Sequence, residues 1–129
     1  MDRQLSILIL DDEDIVCARL KPTLEKAGYF VETFTDSRQV SDLLDRRRFD
    51  IIITDLKMPY IDGLELFRVA RKKWPDIEAI IITGFATVDV TREALQAGVR
   101  DVIPKPFRIS RLKDLIDEIA AKIDGSMEK

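Results

Sequence analysis

Residues 50–63 read DIIITDLKMPYIDG. Three isoleucines and a threonine run into Asp55, and the chain then turns through Pro59 and Gly63. An apolar run of strand length that does not alternate with polar residues suits a strand covered on both faces. Such strands belong to parallel sheets. A carboxylate at the end of that strand is costly to bury unless something compensates it.

Working outward, similar runs recur. They are LSILIL (5–10), YFVETF (29–34), DIIIT (50–54), IEAIIIT (77–83) and DVIP (101–104). All are short and rich in Ile and Val, as strands are. YFVETF is more mixed, as an edge strand would be. Helical patterns fall between them, at about 13–27, 37–47, 63–73, 87–97 and 109–123. Leu64, Phe67, Ala70 and Trp74 share one helical face, and so do Ile109, Leu112, Ile116, Ile119 and Ile123. Gly28 and Gly98 sit where C-terminal caps belong, and Asp36 with Gln39 reads as a capping box. Pro22 lies inside the first helical pattern and predicts a kink or an opened turn there. Five strand–helix repeats give an α/β (βα)5 domain. Right-handed crossovers place its helices on both faces of one parallel sheet, a three-layer sandwich. The closing DGSMEK reads as a frayed end.

The 129 residues suit one domain, with 46% hydrophobic and 35% charged residues. A net charge of −3 gives no electrostatic case for nucleic acid or an anionic membrane as a direct partner. No apolar run approaches the ~20 residues that span a bilayer. The N-terminus turns acidic too soon for a signal peptide. Cys17 is the only cysteine, so no internal disulfide forms, which fits a reducing compartment. It reads as a core or half-buried residue of the first helix. With no histidine, Ser-His-Asp and Cys-His catalysis and imidazole zinc sites are excluded.

Sites in open α/β sheets form beyond the carboxyl ends of the strands. The first strand ends at Asp11-Asp12, the third at Asp55, the fourth at Thr83-Gly84 and the fifth at Lys105-Pro106. Parallel strands put all of these on one edge. Taken singly, Asp12 could cap the first helix, Asp55 could be a turn residue, Thr83 a strand residue and Lys105 a solvated lysine. Capping and metal binding are compatible at Asp12. Their conjunction on one edge is what points to chemistry. Two carboxylates ~4 Å apart repel by about 4 kcal/mol at an effective dielectric near 20, so three call for a cation. All candidate ligands are oxygens, which selects Mg²⁺ or Ca²⁺, and a sparse cluster opening on a loop suits Mg²⁺ better. The chemistry that fits is phosphoryl transfer to a carboxylate. Positive charge and hydrogen-bond donors then do most of the work. An ordinary carboxylate is ionised at neutral pH, so no general base is needed. Arg46-Arg47-Arg48 reads as a solvated helix end whose cations complement the dipole.

ILILDDE, IIITDLKMPYIDGLEL, IIITGFA and IPKPF closely resemble the motifs of response-regulator receiver domains, in order and spacing, over about residues 5–123. That resemblance implies a flavodoxin-like fold with strand order 2-1-3-4-5, an order the general rule for such folds already associates with this family. It implies a receiver domain over 1–124 and a flexible tail over 125–129. Asp55 would be the phosphoacceptor, with a sensor histidine kinase as donor and the cytoplasm as location. Asp12, Asp55 and the Lys57 backbone carbonyl would ligate Mg²⁺, with Asp11 acting through a water. Thr83 would hydrogen-bond the phosphoryl group and Lys105 would pair with it. The Lys105–Pro106 peptide would be cis. The domain would be a switch that catalyses only its own phosphorylation and dephosphorylation. Its 87–123 face would meet an output domain or partner protein, and a homodimer is one arrangement it allows.

TGFATVDVTREALQAG resembles receivers of the nitrogen-regulation type, which often precede ATPase or DNA-binding output domains. No such domain lies within these residues, so the chain is either a stand-alone receiver or part of a longer regulator. Val102 stands where such receivers carry Tyr or Phe. Activation is then expected as movement of the 84–87 loop and the fourth helix, without an aromatic rotamer change. Lys57 and Phe85 occupy positions that flank the phosphoryl group in the family, and a bulky Phe85 is expected to slow its hydrolysis. A haloacid-dehalogenase-type phosphatase needs a second aspartate two residues after the nucleophile, where this chain has Lys57. A receiver-like interaction module that is never phosphorylated usually lacks an acidic or lysine position, and none is lost here.

Overall fold

The computed structural model describes residues 4–127, with side chains over 4–123. Ten elements alternate along the chain: β1 Ser6–Leu10, α1 Asp14–Lys26, β2 Phe30–Phe34, α2 Ser37–Arg46, β3 Ile51–Asp55, α3 Gly63–Lys73, β4 Glu78–Thr83, α4 Val88–Ala97, β5 Asp101–Pro104 and α5 Ile109–Met127. The five strands form one sheet in the order β2-β1-β3-β4-β5, every pair parallel. This is the expected flavodoxin-like topology.

Side chains alternate across a strand, and here each face has its own core. Ile7, Ile9, Ile51, Ile53, Ile80 and Ile82 pack with Cys17, Leu20 and Leu24 of α1 and Leu112, Ile116 and Ile119 of α5. Leu8, Leu10, Ile52, Ala79 and Ile81 pack with residues of α2, α3 and α4 such as Val40, Phe67 and Ala94. All five residues of β3 are buried, and β2 is mixed, as its edge position requires. Each fully buried Ile or Leu contributes about 1.5–3 kcal/mol, so the central strands are held rigidly. That rigidity fixes where the strand ends point.

The helix ends follow local chemistry. Asp36, Asp62 and Thr87 cap α2, α3 and α4 by accepting from the N–H groups of Arg38, Glu65 and Val90. Gly98 closes α4 at φ 104° and Gly28 follows α1 at φ 101°, a region where a Cβ would strain the backbone. Three details differ from the sequence-based expectations. Helix α1 runs from Asp14 to Lys26 through Pro22, so of the kink or opened turn expected there the opened turn falls away. Its N-cap is Glu13 rather than Asp12, so Asp12 is left out of capping. Helix α5 continues to Met127, over residues expected as a frayed end, and Glu128 and Lys129 lie outside the described residues. The arginine run is not wholly solvated either. Arg47 pairs with Glu32, and Arg48 pairs with the buried Asp50 at 3.1 Å. Among the described residues no helix is long and apolar enough to cross a membrane.

Candidate functional site

The carboxyl ends of β1 and β3 are adjacent because those strands pair, with Leu10 opposite Thr54. The next residues along, Asp11 and Asp55, are therefore thrown together. One oxygen from each of Asp11, Asp12 and Asp55 lies within 4.8 Å of the others. Asp11 and Asp55 are buried, whereas Asp12 is exposed.

Lys105 reaches into this cluster from beyond β5. Its Nζ donates to Asp55 Oδ2 at 3.0 Å and to Glu13 Oε1 at 2.8 Å. It also lies 2.8 Å from Asp11 Oδ2, close enough for charge compensation but not aligned to donate a hydrogen bond. Asp11 Oδ2 is thus a buried oxygen whose one close polar neighbour is the Lys105 ammonium, met as an ion pair. Burial pushes the Asp11 carboxyl above the usual aspartate range, against the opposing pull of Lys105 and of the Glu13 N–H. Burial also works against the Lys105 ammonium. Its contacts with Asp11, Glu13 and Asp55 outweigh that and hold it above the usual lysine range. The Lys105–Pro106 peptide is cis, as expected.

Thr83 ends β4 on the same edge and is fully buried. Its hydroxyl oxygen accepts from the Phe85 N–H at 3.0 Å, which shapes the start of the β4–α4 loop. Lys57 lies two residues past Asp55 with its side chain exposed. Val102 is buried in the core rather than standing at the surface.

The loop after β3 is built tightly. Gly63 N–H donates to Leu56 O at 2.9 Å, and the Ser37 hydroxyl donates to Pro59 O at 2.8 Å. Tyr60 takes φ 79°, unusual for a residue with a Cβ, and its ring lies under the Arg38 guanidinium at 4.0 Å. Asp36 holds that guanidinium through contacts of 2.8–3.3 Å.

The structure therefore brings Asp11, Asp12, Asp55 and Lys105 together and sets Thr83 and Lys57 on the same edge. Sequence reasoning missed Glu13 and Gly63. Glu13 continues the acidic run after β1, and Gly63 opens a helix, a place where a small residue can mark a close approach. A donor set made only of oxygens, one of them buried and held only by its ion pair with Lys105, fits a hard divalent cation such as Mg²⁺.

Residues 7–117 match the response regulator receiver domain model. The chain is 36% identical over 113 residues to the response regulator receiver protein CpdR of Brucella abortus, across 88% of this chain and 92% of that protein. It is 33% identical over 115 residues to the C4-dicarboxylate transport transcriptional regulatory protein DctD of Pseudomonas aeruginosa. That match takes in 89% of this chain but only 25% of DctD's length. In three dimensions it resembles the receiver domain protein from Methanospirillum hungatei JF-1, with a TM-score of 0.89 and 28% identity over 96% of this chain and 99% of that one. A family match over residues 7–117, a parallel sheet in the order 2-1-3-4-5 and an acidic edge all lead to one assignment: the chain belongs to the response regulator receiver domains of two-component systems.

Proposed function

We propose that Asp55 accepts a phosphoryl group from a sensor histidine kinase, and that the domain is a cytoplasmic, Mg²⁺-dependent switch. The observation that carries this reading is the placement of Asp55 Oδ2 3.0 Å from Lys105 Nζ, within an acidic cluster on the sheet edge.

In the transfer, an Asp55 carboxylate oxygen attacks phosphorus. The bond from phosphorus to the donor breaks, and its electron pair stays with the donor. The product is an acyl phosphate, which water later hydrolyses to inorganic phosphate and the free carboxylate. Asp12, Asp55 and the Lys57 carbonyl would hold Mg²⁺ directly, with Asp11 through a water. The ion supplies positive charge against the phosphoryl oxygens. Lys105 supplies a second positive charge, and the Thr83 hydroxyl supplies a hydrogen bond once it turns from the Phe85 N–H.

That turn is the proposed start of switching. With Val102 already buried and no aromatic ring in its place, the 84–87 loop and α4 carry the change to the 87–123 face. An output domain, a partner protein or a second copy would read it there. The likeness to CpdR supports a stand-alone receiver, and the likeness to DctD supports a place in a longer transcriptional regulator. Structures with and without a phosphoryl mimic test the switching step, and an unmoved 84–90 segment would count against it.

Incubation with Mg²⁺ and acetyl phosphate, followed by intact mass, tests the central claim. The expected result is a gain of one phosphoryl group that is absent without Mg²⁺ and absent in Asp55→Asn. A gain that survives Asp55→Asn would overturn the assignment.

A further inference from the structure

Glu13 has no part in the reaction above, yet its carboxylate is committed to the site. It accepts from Lys105 Nζ at 2.8 Å across 92 positions of sequence. The local backbone does not require this. Glu13 is the N-cap of α1 but makes no side-chain cap bond, and its N–H is given to Asp11 Oδ1 at 2.9 Å. Its side chain is 56% exposed, while that of Lys105 is 17% exposed. Lys105 therefore bridges two kinds of carboxylate. Asp11 and Asp55 lie inside and belong to the cation cluster, whereas Glu13 lies outside and does not.

We propose that Glu13 is a positioning residue that competes with the phosphoryl group for Lys105 and so restrains phosphorylation of Asp55. The proposal rests on the phosphoacceptor reading. Lys105 directs two N–H groups to Glu13 and Asp55 before transfer. An incoming phosphoryl group brings strong acceptor oxygens and negative charge to the same ammonium. The inner carboxylates share their charge with the cation, but Glu13 keeps its own. Its contact with Lys105 stabilises the unphosphorylated state and must be shared or released on transfer. Only such a difference between states can shift the reaction. Its charge also repels an anionic phosphodonor at the mouth. Both effects act in one direction, so removing the charge should speed transfer.

Phosphorylation rates are to be measured by intact mass with Mg²⁺ over a range of acetyl phosphate concentrations, for the wild type, Glu13→Gln and Asp14→Asn. Asp14 is the next residue along and is exposed, so it controls for general loss of one negative charge. The expected second-order rate for Glu13→Gln is roughly two- to five-fold above wild type, the range open to a half-exposed ion pair. The gap should narrow as salt rises, the melting temperature should hold, and Asp14→Asn should match the wild type. A Glu13→Gln rate equal to or below wild type overturns the proposal, and so does an equal gain in Asp14→Asn. Either result leaves the phosphoacceptor reading standing. A wild type that gains no Asp55-dependent mass removes both.

Discussion

Replacing Gly63 by alanine separates two physical expectations of opposite sign. Gly63 is the first residue of α3, and helix propensity alone gives alanine an advantage of up to about 1 kcal/mol. The space around it says otherwise. A Cβ there would lie 2.2 Å from the Asp55 carbonyl oxygen and 2.9 Å from Thr54 Cγ2, against an ordinary contact of 3.4 Å or more. The Asp55 carbonyl already accepts from the Thr54 hydroxyl at 2.9 Å, so it is not free to swing away. Helix α3 cannot easily yield either, because its own Leu66 and Phe67 are fully buried in the core. At a 2.2 Å approach to a backbone oxygen, forcing in a methyl group falls in the upper part of the overpacking range, about 2–3 kcal/mol. After the propensity gain, a net loss of about 1–2 kcal/mol remains, which lowers Tm by roughly 4–10 °C for a domain of this size. The strain falls on the backbone of the proposed phosphoacceptor. A displacement of about 1 Å there can slow transfer by as much as ~100-fold. Thermal melts and acetyl phosphate rates on Gly63→Ala are the assay. A variant as stable as the wild type, phosphorylated at the same rate, would refute the steric argument outright.

The remaining predictions concern charge, water and the cation. Asp50 is buried and accepts from the Ser6 N–H at 2.8 Å and the Ser6 hydroxyl at 3.2 Å, so Asp50→Ala should cost about 1–3 kcal/mol in urea unfolding, with an unchanged m-value. Burial opposes ionisation of Asp117, but hydrogen bonds from Lys113 and Tyr29 hold its carboxyl below the usual aspartate range. Its contribution is therefore full above the unfolded pKa of about 4 and fades as pH falls through the lower folded value, so the Tm of Asp117→Asn should fall less steeply with acid than that of the wild type. Phe85 is 58% exposed, so Phe85→Ala should leave the fold intact while shortening the phosphoryl lifetime several-fold; an unchanged lifetime would remove the proposed shielding role. Mg²⁺ at about 100 times its Kd should stabilise the wild type by about 2.7 kcal/mol, a gain that Asp12→Asn should lose. No Mg²⁺-dependent rise in Tm would count against the cation site.

Much of this fold was legible because its strands are written in one style. Runs such as DIIIT and IEAIIIT carry too few polar residues to face water, so burial on both faces followed from composition. Strand order did not follow in the same way. Which strands pair depends on contacts between elements far apart in sequence, and the order 2-1-3-4-5 came from the likeness of motifs. Pro22 was read from a local rule, but the surrounding turns of α1 keep it helical. The site divides along a similar line. Asp11, Asp12, Asp55, Thr83 and Lys105 could be gathered from sequence because parallel strands put their carboxyl ends on one edge. Glu13 could not, since its part depends on how far the Lys105 side chain reaches. Gly63 was passed over because the approach of α3 to the Asp55 carbonyl is set by packing behind the site.

The acidic edge also explains why the core is so uniform. Four carboxylates and one ammonium share this edge, so repulsion there exceeds the compensation that Lys105 offers. Burial raises the Asp11 carboxyl first of all, and the Asp55 charge adds a smaller push in the same direction. Loosely held loops would relax the repulsion by moving apart. Asp11 and Asp55 cannot, because Asp11 follows directly on β1 and Asp55 is the last residue of β3, the inner residues of both strands are fully buried, and the two strands are paired. The apolar sheet thus holds the oxygens at a spacing they would not choose alone, and the stored repulsion is what a cation at the proposed site would relieve. Stability and function should then trade against each other at the same residues. Asp12→Asn removes a charge from the cluster, so it should melt at or above the wild-type temperature without Mg²⁺ and below it with Mg²⁺. If Asp12→Asn were less stable than the wild type in both conditions, Asp12 would be a structural residue and the edge would hold no such strain.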